Sequence, residues 1–409
     1  MADYELLIRD RNLDLVSYLW PRQGEIPPLL VSWTRNWRSP GLLKLQIPRD
    51  TDLAVELTTL GSFIEVRRDG VFEAIYLIRA IEIDSGALVY SRGVSDSANA
   101  VYAGGQGEGI DRVVVLRENA ASIAAVGRFE RFVDARDIEE SNIDLLTERA
   151  DTAISSISIP ESAVANIGAP VLLDMITVYG VSPLVYASGR LVLPPPATRV
   201  SGSDLINISE AVYDTVVGVP ADVAMAHYVQ RHLVDPNDPT RKVPLLTIPV
   251  VSGLLPNTSY ASRFQTVLQV LQELAANSDS GYEIIRSGSE LQFVVRPVRE
   301  RTSTSANPVI IRDNEVLLDI PGRAYRTEWD VGDRITLELR NGSRVDLRIF
   351  EVGAELQAGR AVEISLGVVL ETAGDLLGRL TEPQNTPIIR VEGQGGAGDT
   401  ESEIGRAHV

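Results

Sequence analysis

The 409 residues include no cysteine, which removes disulfides, thiolate nucleophiles and cysteine-based metal sites together. Stability must then come from packing and assembly. Histidine is almost as scarce: His227, His232 and His408 are the three. On one helix, His227 and His232 would point about 140° apart, so they are not expected to share a metal on one helical face. No apolar run approaches the roughly 20 residues that span a bilayer. Met1 to Asp10 also carries charges where a signal peptide would be apolar. No membrane span is expected, and the chain is read as kept in a cytoplasm or built into a particle. Positive charge is the minority: 38 Lys and Arg face 56 Asp and Glu, a formal net charge of -18. That balance disfavours a sequence-reading nucleic-acid binder, whose affinity rests on Lys and Arg neutralising phosphates. An acidic channel wall would let DNA pass without sticking; the plain alternative is that the charge serves solubility.

What is present is ordinary for a folded protein: 44% apolar and 23% charged residues. The length exceeds what one core usually holds, so roughly two to four compact units are expected. The first unit reads as β. Leu43, Leu45 and Ile47 alternate with polar residues, and Phe63 to Val66 and Phe72 to Ile78 flank Asp69-Gly70, a pair suited to a type I′ hairpin. Near the other end, Gly332 to Leu339 and Val345 to Phe350 flank Asn341-Gly342 in the same manner. Between them, Phe264, Val267, Leu268, Leu271 and Leu274 fall at helical spacing, ahead of a hairpin around Ser287-Gly288. Further helices are expected over Ser141 to Ile154, with Ser141 and Asp144 as a capping box, and from Pro220 to about Leu233. Trp20, Trp33 and Trp37 read as core or subunit-contact aromatics, with a sugar platform as the lesser alternative.

Two islands carry the most information. Val101 to Gly109 reads VYAGGQGEG, in which Gly104, Gly105, Gly107 and Gly109 free the backbone for a sharp loop after the strand bearing Tyr102. No Gly-Lys-Ser/Thr ending follows, Glu108 would repel an anion and Ile110 breaks the dinucleotide spacing, so a phosphate cradle is not supported. Phe132 to Asp137 reads FVDARD, which suits a strand ending in an ion-paired turn through Asp134, Arg136 and Asp137, with Arg112, Arg128 and Arg131 as nearby partners. A structural clasp is the reading favoured for both.

Together these words resemble a family of tail-hub proteins of long-tailed phages, the siphovirus ReqiPepy-type tail proteins. Further similarity lies in His227 to Pro239, Ser262 to Ala275, Gly281 to Phe293 and Trp329 to Leu337, the last containing Gly332 and Asp333. The resemblance covers most of Asp3 to about Gly367. It implies an α+β, mainly β fold with two small tail-tube-like β-barrel units around a mixed helix and sheet middle region. It also implies a virion structural protein at the tail tip, without cofactor or metal. Its expected partners are copies of itself as a trimer, a distal tail or tail-tube protein, a receptor-binding or fibre protein, and genome DNA passing through without specific binding.

On this basis residues 1-84 form an N-terminal β unit, 85-174 the Gly-rich loop, strand and helix segment, and 175-317 the middle region. Residues 318-370 form the C-terminal β unit and 371-403 a tail. The order departs from the family, where the helix and hairpin precede the Gly-rich loop. Placing about Ser85 to Asp174 behind about Met175 to Leu317 restores it. Either the segments are naturally permuted or the sequence was misassembled. Ile404 to Val409 matches what a common sequencing-library adapter encodes, and is expected to be an artefact, so that the natural protein would continue past Glu403.

Chemistry has little to stand on. Ser259 and Ser262 lack a Gly-x-Ser-x-Gly elbow, 56 acidic residues make chance carboxylate pairs inevitable, and Asp235, Asn237 and Asp238 lack the spacing of a calcium loop. Two other classes stay open beside the hub: a tail-associated cell-wall hydrolase whose catalytic domain lies downstream, and a carbohydrate-binding adhesion module using the tryptophans.

Overall fold

The computed structural model describes residues 4–20, 30–48, 54–84, 88–93, 98–155, 161–165, 175–312, 325–326, 328–357, 365–370 and 388–389. Six strands begin the chain: β1 (Tyr4–Arg9), β2 (Leu15–Trp20), β3 (Leu30–Asn36), β4 (Leu42–Pro48), β5 (Phe63–Arg68) and β6 (Val71–Asp84). The alternation in β4 is used as the pattern requires, with Leu43, Leu45 and Ile47 all buried. Between β5 and β6, Asp69 and Gly70 take φ of 51° and 74°, the two positive values a type I′ turn demands.

The next stretch holds β7 (Leu88–Gly93), β8 (Ala100–Gly104), β9 (Val114–Glu118), α1 (Ala120–Val126), β10 (Glu130–Asp134), α2 (Ile143–Ser155) and β11 (Glu161–Ala165). Strand β8 is central in a small sheet, antiparallel to β9 and parallel to β10. Helix α2 packs on β8 and β9 through Leu146 and Ala150. Asn142 caps it, its Oδ1 accepting from the Leu145 amide at 3.2 Å. The expected cap, Ser141, lies one residue too early.

The chain then returns to the first sheet as β12 (Met175–Val181), which inserts between β4 and β6, antiparallel to both. After it come β13 (Asp214–Pro220), α3 (Ala221–Val229), β14 (Asn257–Ser262), α4 (Val267–Ser278), β15 (Ser280–Ser287), β16 (Glu290–Pro297), β17 (Arg334–Glu338) and β18 (Arg344–Gln357). Helix α4 has a complete capping box: the Gln269 amide donates to Thr266 Oγ1 at 3.2 Å, and the Thr266 amide to Gln269 Oε1 at 2.9 Å. Its buried face is Val267, Val270, Leu271, Leu274 and Ala275, packed against α3. Each larger side chain of that face contributes about 1.5–3 kcal/mol on leaving water. Phe264 falls outside this helix, at φ 59°, and joins the core of the β8 sheet instead.

The mainly β class with helices holds. Two separate barrels are not confirmed: the main sheet runs β2-β1-β5-β6-β12-β4-β3-β18-β17, and among the described residues it does not close on itself. The reason is a pairing between the chain's two ends. Strand β18 pairs with β3 over Glu351↔Asn36 to Gln357↔Leu30, so the N-terminal and C-terminal β units share one hydrogen-bonded ladder. No helix among the described residues is long and apolar enough to cross a membrane.

Candidate functional site

The two sequence islands meet side by side. Parallel pairing aligns Phe132 with Tyr102 and Asp134 with Gly104, so FVDARD is laid along the strand that feeds the glycine loop. The buried Arg112 guanidinium ties them, donating to the Gly104 carbonyl at 3.0 Å, the Gly105 carbonyl at 3.1 Å and Asp134 Oδ1 at 2.6 Å. Glycine at 104 is a requirement of space: an added Cβ would sit 2.7 Å from Arg112 Nε and 2.7 Å from Phe132 Cζ. At 107 and 109 it is one of backbone, with φ of 106° and 61°. The loop's amides are engaged internally, Gly105 donating to the Val113 carbonyl at 2.9 Å and Gln106 to that of Ile138 at 2.8 Å. Those two amides are therefore not turned toward an anion. Beyond the strand, Arg136 pairs with Asp134 at 2.6 Å and Arg149 with Asp137 at 2.8 Å. Both are surface pairs of small worth.

This clasp is bonded to the rest of the molecule through rings and charges. Phe132 stacks on Phe264 with centroids 4.1 Å apart, and Arg112 and Arg263 lie over the outer faces of Phe132 and Phe264 at 5.1 and 4.8 Å. Two residues before Phe132 on β10 is a node that sequence reading missed, Glu130. Its carboxylate accepts two bonds from Arg241, both at 2.8 Å, one from Arg128 Nε at 2.7 Å and one from the Leu191 amide at 2.9 Å. Burial alone would raise its pKa, yet Arg241 and Arg128 hold it well below the usual carboxylate range. Tyr102 closes the group, its hydroxyl accepting from Arg128 Nη2 at 3.2 Å. The charged run RFERF around Glu130 was visible, but Arg241 is 111 residues away.

Gly332 and Asp333 lie elsewhere, on a second junction built around Trp37. A Cβ on Gly281 would approach that ring to 2.4 Å and one on Gly332 to 2.0 Å, so the indole is gripped between two glycines. Gly332 also needs its φ of 92°. Asp333 accepts two bonds from Arg299 at 2.8 Å, and its neighbour Asp330 is paired with Arg35 at 2.5 Å and with Arg296 and Arg326 at 3.1 Å. Burial opposes the charge on Asp330, but Arg35 and Arg326 outweigh it and keep its pKa well below normal. Trp33 and Trp37 are thus buried core residues; the side chain of Trp20 lies outside the described residues.

The histidines depart from expectation. Both His227 and His232 reach Asp214, through Nε2 at 3.1 and 2.8 Å. A π turn over Gln230–Val234 continues α3 and widens it, which brings positions five apart onto one side. No cluster of His, Asp and Glu fit for a metal exists among the described residues. Ser259 Oγ accepts from the Gly218 amide at 3.0 Å and Ser262 Oγ donates to Gln265 at 2.8 Å, so neither serine is paired with a histidine. Asp238 caps the turn at Thr240.

Residues 173–317 match the family described as Siphovirus ReqiPepy6 Gp37-like protein. This segment is siphovirus Gp37-like. It holds the Asp214 cluster, Arg241, α4 and the β15–β16 hairpin. No curated protein matches the chain. Among solved structures, it is similar to the prophage MuSo2 43 kDa tail protein of Shewanella oneidensis, with 9% identity and a TM-score of 0.38 over 90% of this chain and 100% of that one. A tail protein of Neisseria meningitidis MC58 gives 9% identity and 0.36 over 91% and 97%. The prophage tail protein gp18 of Listeria monocytogenes EGD-e gives 7% and 0.33 over 92% and 98%.

Proposed function

We propose that the protein is a virion structural component of a long-tailed phage, a tail-tip hub that connects the tail tube to the host-recognition apparatus. The observation that carries this reading is the Gp37-like match over residues 173–317. Side-chain chemistry supports it, because the residues singled out in the sequence are spent on locking segments together. Arg112, Asp134 and Phe132 hold the glycine loop, Gly332 fits against Trp37, and Asp333 holds Arg299. In this reading residues 1-84 and 318-370 are the two β units facing the tube, 85-174 and 175-317 form the body, and three copies surround a passage for DNA. An acidic passage follows from the net charge of -18. Copies are assembled in the host cytoplasm and end in the virion. Gold-labelled antibody on purified virions should mark the tail tip, and light scattering should give three times the 44.5 kDa chain mass. Label on the capsid, or none on the particle, overturns the proposal.

A further inference from the structure

A cavity of about 600 Å³ opens beside the Trp37 junction, between the turn joining β5 to β6, the end of β16 and the loop before β17. That volume is within the range of small-molecule sites. Its walls are chemically divided. Val71 and Phe72 supply an apolar side, while Arg296, Arg299 and Arg326 supply guanidinium groups that are partly open, at 29%, 41% and 21% side-chain exposure. Four carboxylates share the lining: Asp330 and Asp333, which hold these arginines, are buried with side chains 6% and 3% exposed, Glu73 is also buried, and Asp69 stands open at the turn.

The donors are only partly used. Arg299 spends Nε and Nη2 on Asp333, Arg326 spends Nη1 on Asp330 and Nη2 on a long contact to the Phe72 carbonyl, and Arg296 spends Nη1 on Asp330 and Nη2 on Glu283. Arg299 Nη1, Arg326 Nε and Arg296 Nε keep N–H donors that no acceptor among the described residues takes. In a chain of net charge -18 the lining is balanced, with Arg68, Arg296, Arg299 and Arg326 against Asp69, Glu73, Asp330 and Asp333, so the local excess of negative charge is removed there. Arg296, Arg299 and Arg326 are also each fixed in direction by the carboxylate already held, which lowers the ordering cost of a further bond.

We infer that this cavity binds a small organic oxyanion, a carboxylate or a phosphate ester, whose charged end meets Arg296, Arg299 and Arg326 while its carbon body lies on Val71 and Phe72. The inference does not depend on the tail assignment. It is tested on the full chain by isothermal titration with glucuronate, with glucose 6-phosphate, and with glucose as the uncharged control. Saturable binding of one or both acids and none of glucose is expected, and which acid binds tighter separates the carboxylate source from the phosphate source. Arg299→Gln and Arg326→Gln should each weaken that binding about tenfold. Arg344→Gln, at an exposed pair with Glu338 on β18, should leave it unchanged. Circular dichroism melting of each variant establishes that it is folded before titration. Absence of saturable binding to both acids, or equal affinity in the wild type and in folded Arg299→Gln and Arg326→Gln, overturns the inference.

Discussion

At the scale of single residues, the glycines and the buried histidine make the sharpest commitments. Gly332→Ala combines a forbidden φ with a Cβ 2.0 Å from Trp37, whereas Gly104→Ala meets only crowding at 2.7 Å. Both should lower stability in urea, Gly104→Ala by about 1–3 kcal/mol as overpacking does, and Gly332→Ala by more. Equal, negligible losses would contradict the packing described. The Asp214 cluster predicts a pH dependence. Burial depresses the pKa of His232 below its ordinary value of 6.5, so below that value the unfolded chain takes up a proton that the folded chain resists, and stability falls. The Asp214 carboxylate, which burial would raise but its bonds from His227 and His232 hold well below the usual range, extends the loss to lower pH, starting below about 3.9. The melting temperature should therefore fall from pH 7.5 to pH 5. His232→Asn should flatten that slope, and an unchanged slope would remove His232 from the account.

Between elements, the decisive group is Glu130, which joins β10 to the segment carrying Arg241 and Leu191. Removing it leaves Arg241 a buried charge without a carboxylate and Arg128 with Glu118 as its remaining one, so Glu130→Ala should cost about 3–5 kcal/mol, with the urea m-value unchanged. Glu130→Gln keeps the shape and should cost less. A loss under 1 kcal/mol for the alanine variant would show that water relieves the arginines. This node also marks how far sequence reading reaches. Hairpins at Asp69-Gly70 and Ser287-Gly288 and the helix over 267–278 were legible because turn dihedrals, caps and periodicity are local properties. The clasp of Arg112 with Asp134 was legible in part, since 22 residues separate them within one recognisable motif. The Glu130 to Arg241 pair, the parallel alignment of β8 with β10 and the ladder of β3 with β18 were not. Each is a contact between distant segments that leaves no local pattern. The two-barrel expectation did not foresee the last of these, and the histidine expectation failed on a π turn that an assumed 3.6-residue period cannot anticipate.

For the whole molecule, the order of segments is the remaining question, and the strand register bears on it. Asp84 and Met175 are direct antiparallel partners at the ends of β6 and β12, so a two-residue turn could join them as a hairpin. The intervening stretch also meets itself near its two ends, where β7 and β11 pair, Leu88 opposite Ala165, while β7 pairs on its other edge with β6, Val89 opposite Asp84. A segment whose own ends meet, entering where two flanking strands also meet, is placed by its contacts and not by its position in the chain. The Gp37-like match also begins at residue 173 and ends at 317, next to the same boundary. A reordered variant, with Asp84 joined to Met175 by Asn-Gly and residues 85–174 moved behind 317 on flexible linkers, should therefore reach the same fold. Loop-closure entropy changes by only about 0.6 kcal/mol for each doubling of a loop, too little to disturb it. Its circular dichroism spectrum should superpose on that of the present chain, with melting within about 5 °C. Converting β6 and β12 to a hairpin lowers contact order, so refolding should be faster. Loss of cooperative melting in the reordered chain, with the present chain intact, would show that the written order is itself required for the fold.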